Sequence, residues 1–357
     1  MALKRGQTLR VCPLAAQRQQ PAGESGHDSA VKTSTVSACP YPWLMNKHSA
    51  LYAWMKKCRP LFALSMLGPL LAACSPWALV ERGIPTDTYR LASDIAYGDH
   101  PRQRLDVYSP MNTAVPAPIL VFIYGGGWTS GDRGFYRFVG EALAARGIVT
   151  VIPDYRVYPE VKFPAFVDDS AEAIGWALRN AARFGGDPKR LHVGGHSAGA
   201  YNAAMVAFSP DRARAAGFDP EQLAGFIGLA GPYDFLPLTG RTTRAIFGFP
   251  DTSPDTQPIN FVSASSPRSL LLYATHDTVV GPHNTENLAA RLRAAGVEVR
   301  VVPYEQLGHR TLIASFARPL SWLGATTDEV VRFVHGDGRG DGRGEKDGRT
   351  ARARASQ

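Results

Sequence analysis

The 357-residue chain is long enough for one large domain with an ample core, and its formal net charge of +8 would ordinarily raise nucleic acid as a partner. That charge sits in the tails: residues 1–73 carry nine Lys/Arg against two Asp/Glu, residues 335–357 six against four, and the stretch between them 24 against 25. With a near-neutral body the high net charge is no evidence for nucleic-acid binding and none is expected, and all four cysteines (Cys12, Cys39, Cys58 and Cys74) precede it, which excludes a disulfide staple or a cysteine nucleophile there.

In residues 1–54, Gln, Ser, Pro and Gly interrupt short apolar pieces without a sustained helical or strand period, so this segment is expected to be disordered or an extension of the gene model. Next, Met55-Lys56-Lys57-Cys58-Arg59 supplies a basic start, Leu61 to Ala73 an apolar run, and Leu71-Ala72-Ala73-Cys74 a close. That is the layout of a bacterial export signal over residues 55–74, with a core too short to span a bilayer comfortably. Its ending resembles the lipobox of bacterial lipoproteins. The resemblance implies a lipidated Cys74 as the mature amino terminus and membrane association through that lipid. Ser75 at the following position implies the outer membrane of the bacterial cell envelope, facing the periplasm, with a cytoplasmic protein as the alternative.

A globular domain is expected over 83–335, with strand alternation plain from Thr88. Tyr89 to Tyr97 and Arg104 to Tyr108 read as an antiparallel pair, and Ile119 to Tyr124 (ILVFIY) as a strand buried on both faces. The remaining strands are Val149 to Pro153, one opening at Leu191, Gly225 to Ala230, Ser269 to Ala274 and Val297 to Pro303. Helices are expected over Phe138 to Arg146, Ala165 to Phe184, the segment after Ser197, Glu286 to Ala295 and Asp328 to Val334. This alternation predicts an α/β fold, a mostly parallel central sheet with helices on both faces and no large cap domain. Residues 336–357, rich in Gly and charge, read as a disordered tail.

Four features carry chemistry. Gly195-His196-Ser197-Ala198-Gly199 joins an apolar strand to an Ala-rich helix, so glycines flank a serine where strand and helix approach closely. A serine at that apex is exposed as a nucleophile, and the N–H of Ala198, at the helix start, can face a developing negative charge. Tyr124-Gly125-Gly126-Gly127-Trp128 follows the buried strand and leaves bare backbone N–H groups open to a ligand; it lacks the Gly-Lys-Ser/Thr ending of a phosphate loop. Asp277 follows the Ser269 strand and His309 the Val297 strand, placing a carboxylate and an imidazole at the same rim. Asp251 and Asp255 compete as the acid but lie in a Pro-rich loop. Among nine histidines, His27, His48 and His335 sit at the edges, His100 in a turn, His192 within a strand and His196 beside the serine, which leaves His309 as the base. His276 and His283 flank Asp277 without a helical metal-binding spacing, so neither a metal nor another cofactor is expected.

The order Ser197, Asp277, His309 is that of the α/β-hydrolase triad. With YGGGW, DYRVYPEVKFPA, FGGDPKRLHVGGHSAGA, HDTVV and GHRT, residues from about Thr88 to His335 resemble carboxylesterases of the hormone-sensitive-lipase-like and feruloyl-esterase-like branches of that superfamily. The resemblance implies a serine carboxylesterase working through an acyl-enzyme, and the short excursion between Ala230 and Ser269, with no long cap insertion, suggests a small or medium ester. It also implies oxyanion donors at the N–H groups of Gly126, Gly127 and Ala198. Tyr124 stands where the family usually has His. An arylformamidase-like amide hydrolase and a non-catalytic envelope lipoprotein using the fold for binding are the alternatives. Tyr233, Phe235, Phe247 and Phe249 are candidate pocket walls or core residues, and the oligomeric state is not legible.

Overall fold

A computed structural model describes residues 80–112 and 115–336, which fall within the second of the two compact units into which the chain divides, residues 70–357. The expected extension at 1–54, the export signal at 55–74 with Cys74, and the tail beyond Gly336 lie outside the described residues.

Eight strands form one sheet: β1 (Tyr89–Ala96), β2 (Arg104–Pro110), β3 (Ala117–Ile123), β4 (Val149–Pro153), β5 (Gly186–His196), β6 (Gly225–Leu229), β7 (Ser269–Ala274) and β8 (Val299–Tyr304), in spatial order β1-β2-β4-β3-β5-β6-β7-β8. The β1–β2 and β2–β4 pairs are antiparallel and every other pair is parallel. Every residue of β3, β4 and β6 is buried, as expected of central strands covered on both faces, whereas edge strand β1 turns most of its side chains toward water. The helices that lie wholly within the described residues are α1 (Arg137–Ala144), α2 (Ala165–Asn180), α3 (Ala198–Phe208), α4 (Pro210–Ala215), α5 (Arg241–Phe247), α6 (His283–Ala294), α7 (His309–Ala314) and α8 (Thr326–His335).

Boundaries moved where local chemistry outweighed apolar periodicity. The helix expected to run to Phe184 leaves α geometry at Asn180, tightens into a 3₁₀ turn over Ala181–Phe184, and stops at Gly185, whose φ of 82° is the left-handed conformation that ends helices. Strand β5 begins at Gly186 instead of Leu191 because Gly186 pairs with Ala117 across a register irregularity, although Asp187, Lys189 and Arg190 carry no apolar signal. The short helices α4, α5 and α7 have too few residues to show a helical period.

The strand order places the site. After β3 the chain crosses to β4 on one side, and it returns to lay β5 on the other side of β3, so the loops leaving β3 and β5 diverge. A crevice opens at such a switch point beyond the carboxyl ends of the strands. Both the glycine run and the Ser197 turn leave strands there.

Candidate active site

Strands β3 and β5 end side by side, with Ile123 opposite Gly195. Leaving β5, the chain turns at Ser197 with φ 55° and ψ −124°, backbone angles that cost a residue with a side chain about 1–3 kcal/mol and persist only where the surroundings impose them. Here the Ser197 N–H donates to the Leu229 carbonyl at 2.9 Å, and the Ser197 carbonyl accepts the Tyr201 N–H at 3.1 Å. Gly199 permits the close approach: a Cβ there would lie 2.0 Å from the Ile123 carbonyl oxygen and 2.4 Å from that of Tyr124. Ser197 is thereby held half-buried at the start of α3.

The glycine run is equally constrained. Gly126 and Gly127 adopt φ of 143° and 60°, and a Cβ on Gly126 would lie 2.0 Å from the Ser130 carbonyl oxygen. The Gly126 carbonyl turns inward to accept the Thr129 and Ser130 N–H groups at 3.1 and 3.2 Å. Among the described residues, the N–H groups of Gly126, Gly127 and Ala198 donate to no partner. Trp128 pins the loop to the serine helix: its indole N–H donates to Asn202 Oδ1 at 3.0 Å, and the Asn202 amide donates to Ser170 Oγ at 3.2 Å. Tyr124 is fully buried behind the loop. Its hydroxyl donates to Asp154 Oδ1 at 2.6 Å and accepts from Arg102 Nη2 at 3.0 Å, while Arg102 also donates to the Gly131 carbonyl at 2.9 Å. Burial is the main cause that pushes its phenol pKa far up, so Tyr124 stays a neutral strut of the loop.

Asp277 lies just past β7, and His309 opens α7 just past β8. Asp277 Oδ1 accepts the Val279 and Val280 N–H groups at 2.8 and 2.9 Å, and Oδ2 lies 2.7 Å from His309 Nδ1. His309 Nε2 in turn lies 2.9 Å from Ser197 Oγ. A carboxylate only accepts, so the ring proton is assigned to Nδ1, and the Nε2 lone pair faces the serine hydroxyl. Burial disfavours charge on Asp277, but the hydrogen bonds from His309, Val280 and Val279 outweigh it and hold the carboxyl below the usual carboxylate range. At neutral pH it is an anion.

The other sequence candidates lie elsewhere. Asp251 and Asp255 are exposed in their loop, His100 pairs with Glu160, His192 is buried within β5, and His335 bonds the Arg146 carbonyl. His27 and His48 lie outside the described residues. No group of three or more His, Cys, Asp or Glu side chains among the described residues is placed to hold a metal ion.

A cleft of about 680 Å³ opens over Ser197, lined by Gly127 and Ala198, by an apolar wall that includes Phe235, Leu236, Leu238 and Val280, and by threonines such as Thr129 and Thr243. No Asp, Glu, Lys or Arg lines it. Of the aromatic candidates only Phe235 reaches this cleft. Tyr233 and Phe247 are core, and Phe249 is exposed beside a neighbouring surface hollow that shares Leu236, Pro237 and Leu238 with it. Sequence reading had no signal for Asn202, which follows Ser197 on α3 and becomes meaningful only when the Trp128 indole arrives from the β3 loop.

Comparison with known proteins agrees with this architecture. The BD-FAE family model matches residues 105–292. A probable isoprenylcysteine alpha-carbonyl methylesterase of Arabidopsis thaliana is 27% identical over 92% of this chain and 80% of its own length. Esterase LipC of Mycobacterium tuberculosis is 32% identical over 68% of this chain, which spans 64% of LipC. Among solved structures, an esterase from Pyrobaculum calidifontis superposes with a TM-score of 0.57 at 24% identity, over 71% of this chain and 89% of its own. A thermophilic esterase from Thermogutta terrifontis gives 0.58 at 24%, over 71% and 95%.

Proposed function

Because the chain belongs to the BD-FAE family and is a carboxylic ester hydrolase of the α/β-hydrolase fold, we propose that it is a serine esterase working through Ser197, His309 and Asp277. The observation that carries this reading is the continuous hydrogen-bonded line from Ser197 Oγ through His309 to Asp277, at 2.9 and 2.7 Å. His309 Nε2 takes the hydroxyl proton as Ser197 Oγ attacks the ester carbonyl. The oxyanion is held by the N–H groups of Gly126, Gly127 and Ala198, which lack protein acceptors among the described residues. His309 then returns the proton to the departing alkoxide, leaving an acyl-serine and an alcohol. Water attacks that acyl group with the same histidine as base and releases the acid. Asp277 keeps the ring proton on Nδ1 and balances the transient imidazolium.

The cleft supports a neutral ester, small or medium in size. Its lining carries no Asp, Glu, Lys or Arg to pair with an ionised substrate, His283 being its one titratable side chain, and its apolar wall faces threonine hydroxyls. The expected result is turnover of p-nitrophenyl butyrate together with stoichiometric labelling by a fluorophosphonate probe, mapped by peptide mass to Ser197. Labelling at another residue, or none alongside ester turnover, rejects the mechanism. Faster turnover of an aryl formamide than of any ester would move the reading to amide hydrolysis.

The proposal extends to location. Leu71-Ala72-Ala73-Cys74 supports export and lipid anchoring through Cys74, at the outer membrane facing the periplasm. Cys74→Ser is expected to move the protein from the membrane to the soluble fraction of a bacterial host; unchanged fractionation rejects the anchor.

A further inference from the structure

His196 enters none of the steps above, yet it touches the machinery on three sides. It directly precedes Ser197 in the chain and is 5% exposed. Its ring packs on that of His309 with centroids 4.7 Å apart, and its Nε2 lies 2.9 Å from the His309 backbone carbonyl. Its Nδ1 is buried without a hydrogen-bond partner among the described residues. That atom faces the glycine loop, where a Cβ on Gly125 would lie 3.2 Å from it and 3.0 Å from the His196 carbonyl oxygen.

A carbonyl accepts and cannot donate, so the contact to His309 requires a proton on Nε2, while a second proton on the buried Nδ1 would find no acceptor, which leaves Nδ1 as a bare lone pair. The ring is therefore neutral. Burial first, and the neighbouring His309 second, lower its pKa to about 3, against the smaller opposing effects of the hydrogen bond to the His309 carbonyl and of Asp277. A neutral ring in this place does not compete for charge when His309 becomes an imidazolium.

We propose that His196 is a positioning residue that registers the base on the nucleophile, its Nε2–H holding the backbone of His309 at a fixed offset from the adjacent Ser197. The proposal rests on the triad reading above. Ser197 and His309 are 112 residues apart in the chain and stand on separate loops, so their 2.9 Å separation depends on how those loops are tied. The His196 bond ties the base loop to the residue that carries the strained serine turn. A misplacement of about 1 Å between reacting groups can cost around 100-fold in rate without altering substrate binding.

The test compares His196→Gln with His196→Met, two unbranched side chains of similar size, of which only glutamine offers an N–H near the position of Nε2. Steady-state kinetics on p-nitrophenyl butyrate and urea unfolding are measured for both, beside Ser197→Ala. The Met variant is expected to lose about 10- to 100-fold in kcat with KM within about twofold, and the Gln variant to recover most of that loss at the same unfolding midpoint. Equal losses in the two variants, a change confined to KM, wild-type kcat in the Met variant, or a Met variant that does not fold would each overturn the positioning role. Those outcomes leave the triad standing as long as Ser197→Ala is inactive. Turnover retained by Ser197→Ala overturns the triad reading and this proposal with it.

Discussion

Ser197→Ala is expected to abolish ester turnover, lowering kcat by roughly 10⁴- to 10⁶-fold while leaving the fold intact. The size of the loss follows from what one atom does in the proposed mechanism: Oγ would be the attacking group and is the partner of His309 Nε2 at 2.9 Å, and alanine can form no acyl intermediate. The backbone that holds the turn is unaffected, because the bonds from the Ser197 N–H to Leu229 and from the Tyr201 N–H to the Ser197 carbonyl are main-chain contacts. Alanine inherits the same φ of 55°, so the strain is neither relieved nor increased. Urea unfolding should therefore agree with wild type to within about 1 kcal/mol. Turnover within tenfold of wild type would exclude Ser197 as the nucleophile.

Asp277→Asn is expected to reduce kcat by about 10³- to 10⁴-fold at neutral pH, although the substitution preserves shape. Both carboxylate oxygens are committed as acceptors, Oδ1 to two backbone N–H groups and Oδ2 to His309 Nδ1. Asparagine offers one oxygen. The two backbone donors, fixed by the turn, claim it, and the amide NH₂ is left facing Nδ1. Two donors cannot share that contact, so His309 is driven to the tautomer with its proton on Nε2, aimed at Ser197 and unable to take the serine proton. A second readout is stability in acid. With its pKa held down in the fold, ionised Asp277 stabilises the protein above the ordinary aspartate range near 4 and loses that contribution as pH falls through the lowered value. The Asn variant should lack this part of the acid decline in urea unfolding, and an unchanged kcat would remove Asp277 from the mechanism.

Much of this site is legible before any coordinates, because its parts are local. A glycine-flanked serine between a buried strand and a helix, three glycines after another buried strand, and an acid and a histidine each just past a strand end are readable as short patterns. The central strands β3, β4 and β6 announce themselves as unbroken apolar runs, since a strand covered on both faces has no polar side to show. Less legible are features whose cause lies on a distant segment. The start of β5 depends on Ala117, and the sorting of the four aromatic candidates into core (Tyr233 and Phe247), cleft lining (Phe235) and exposed surface (Phe249) depends on tertiary packing.

The same division holds at Tyr124 and His196. Side-chain type alone establishes that a tyrosine precedes the glycines and that a histidine precedes the serine. Only the fold decides that the tyrosine hydroxyl points away from the cleft to Asp154 and Arg102, and that the histidine reaches the backbone of His309. Residue identity and spacing thus determined which groups are present, in what order, and at which strand ends. The strand order, with β5 returning to the far side of β3, brought Ser197, Asp277 and His309 to hydrogen-bonding distance, because contacts between residues 32 and 112 positions apart are set by sheet topology and close packing.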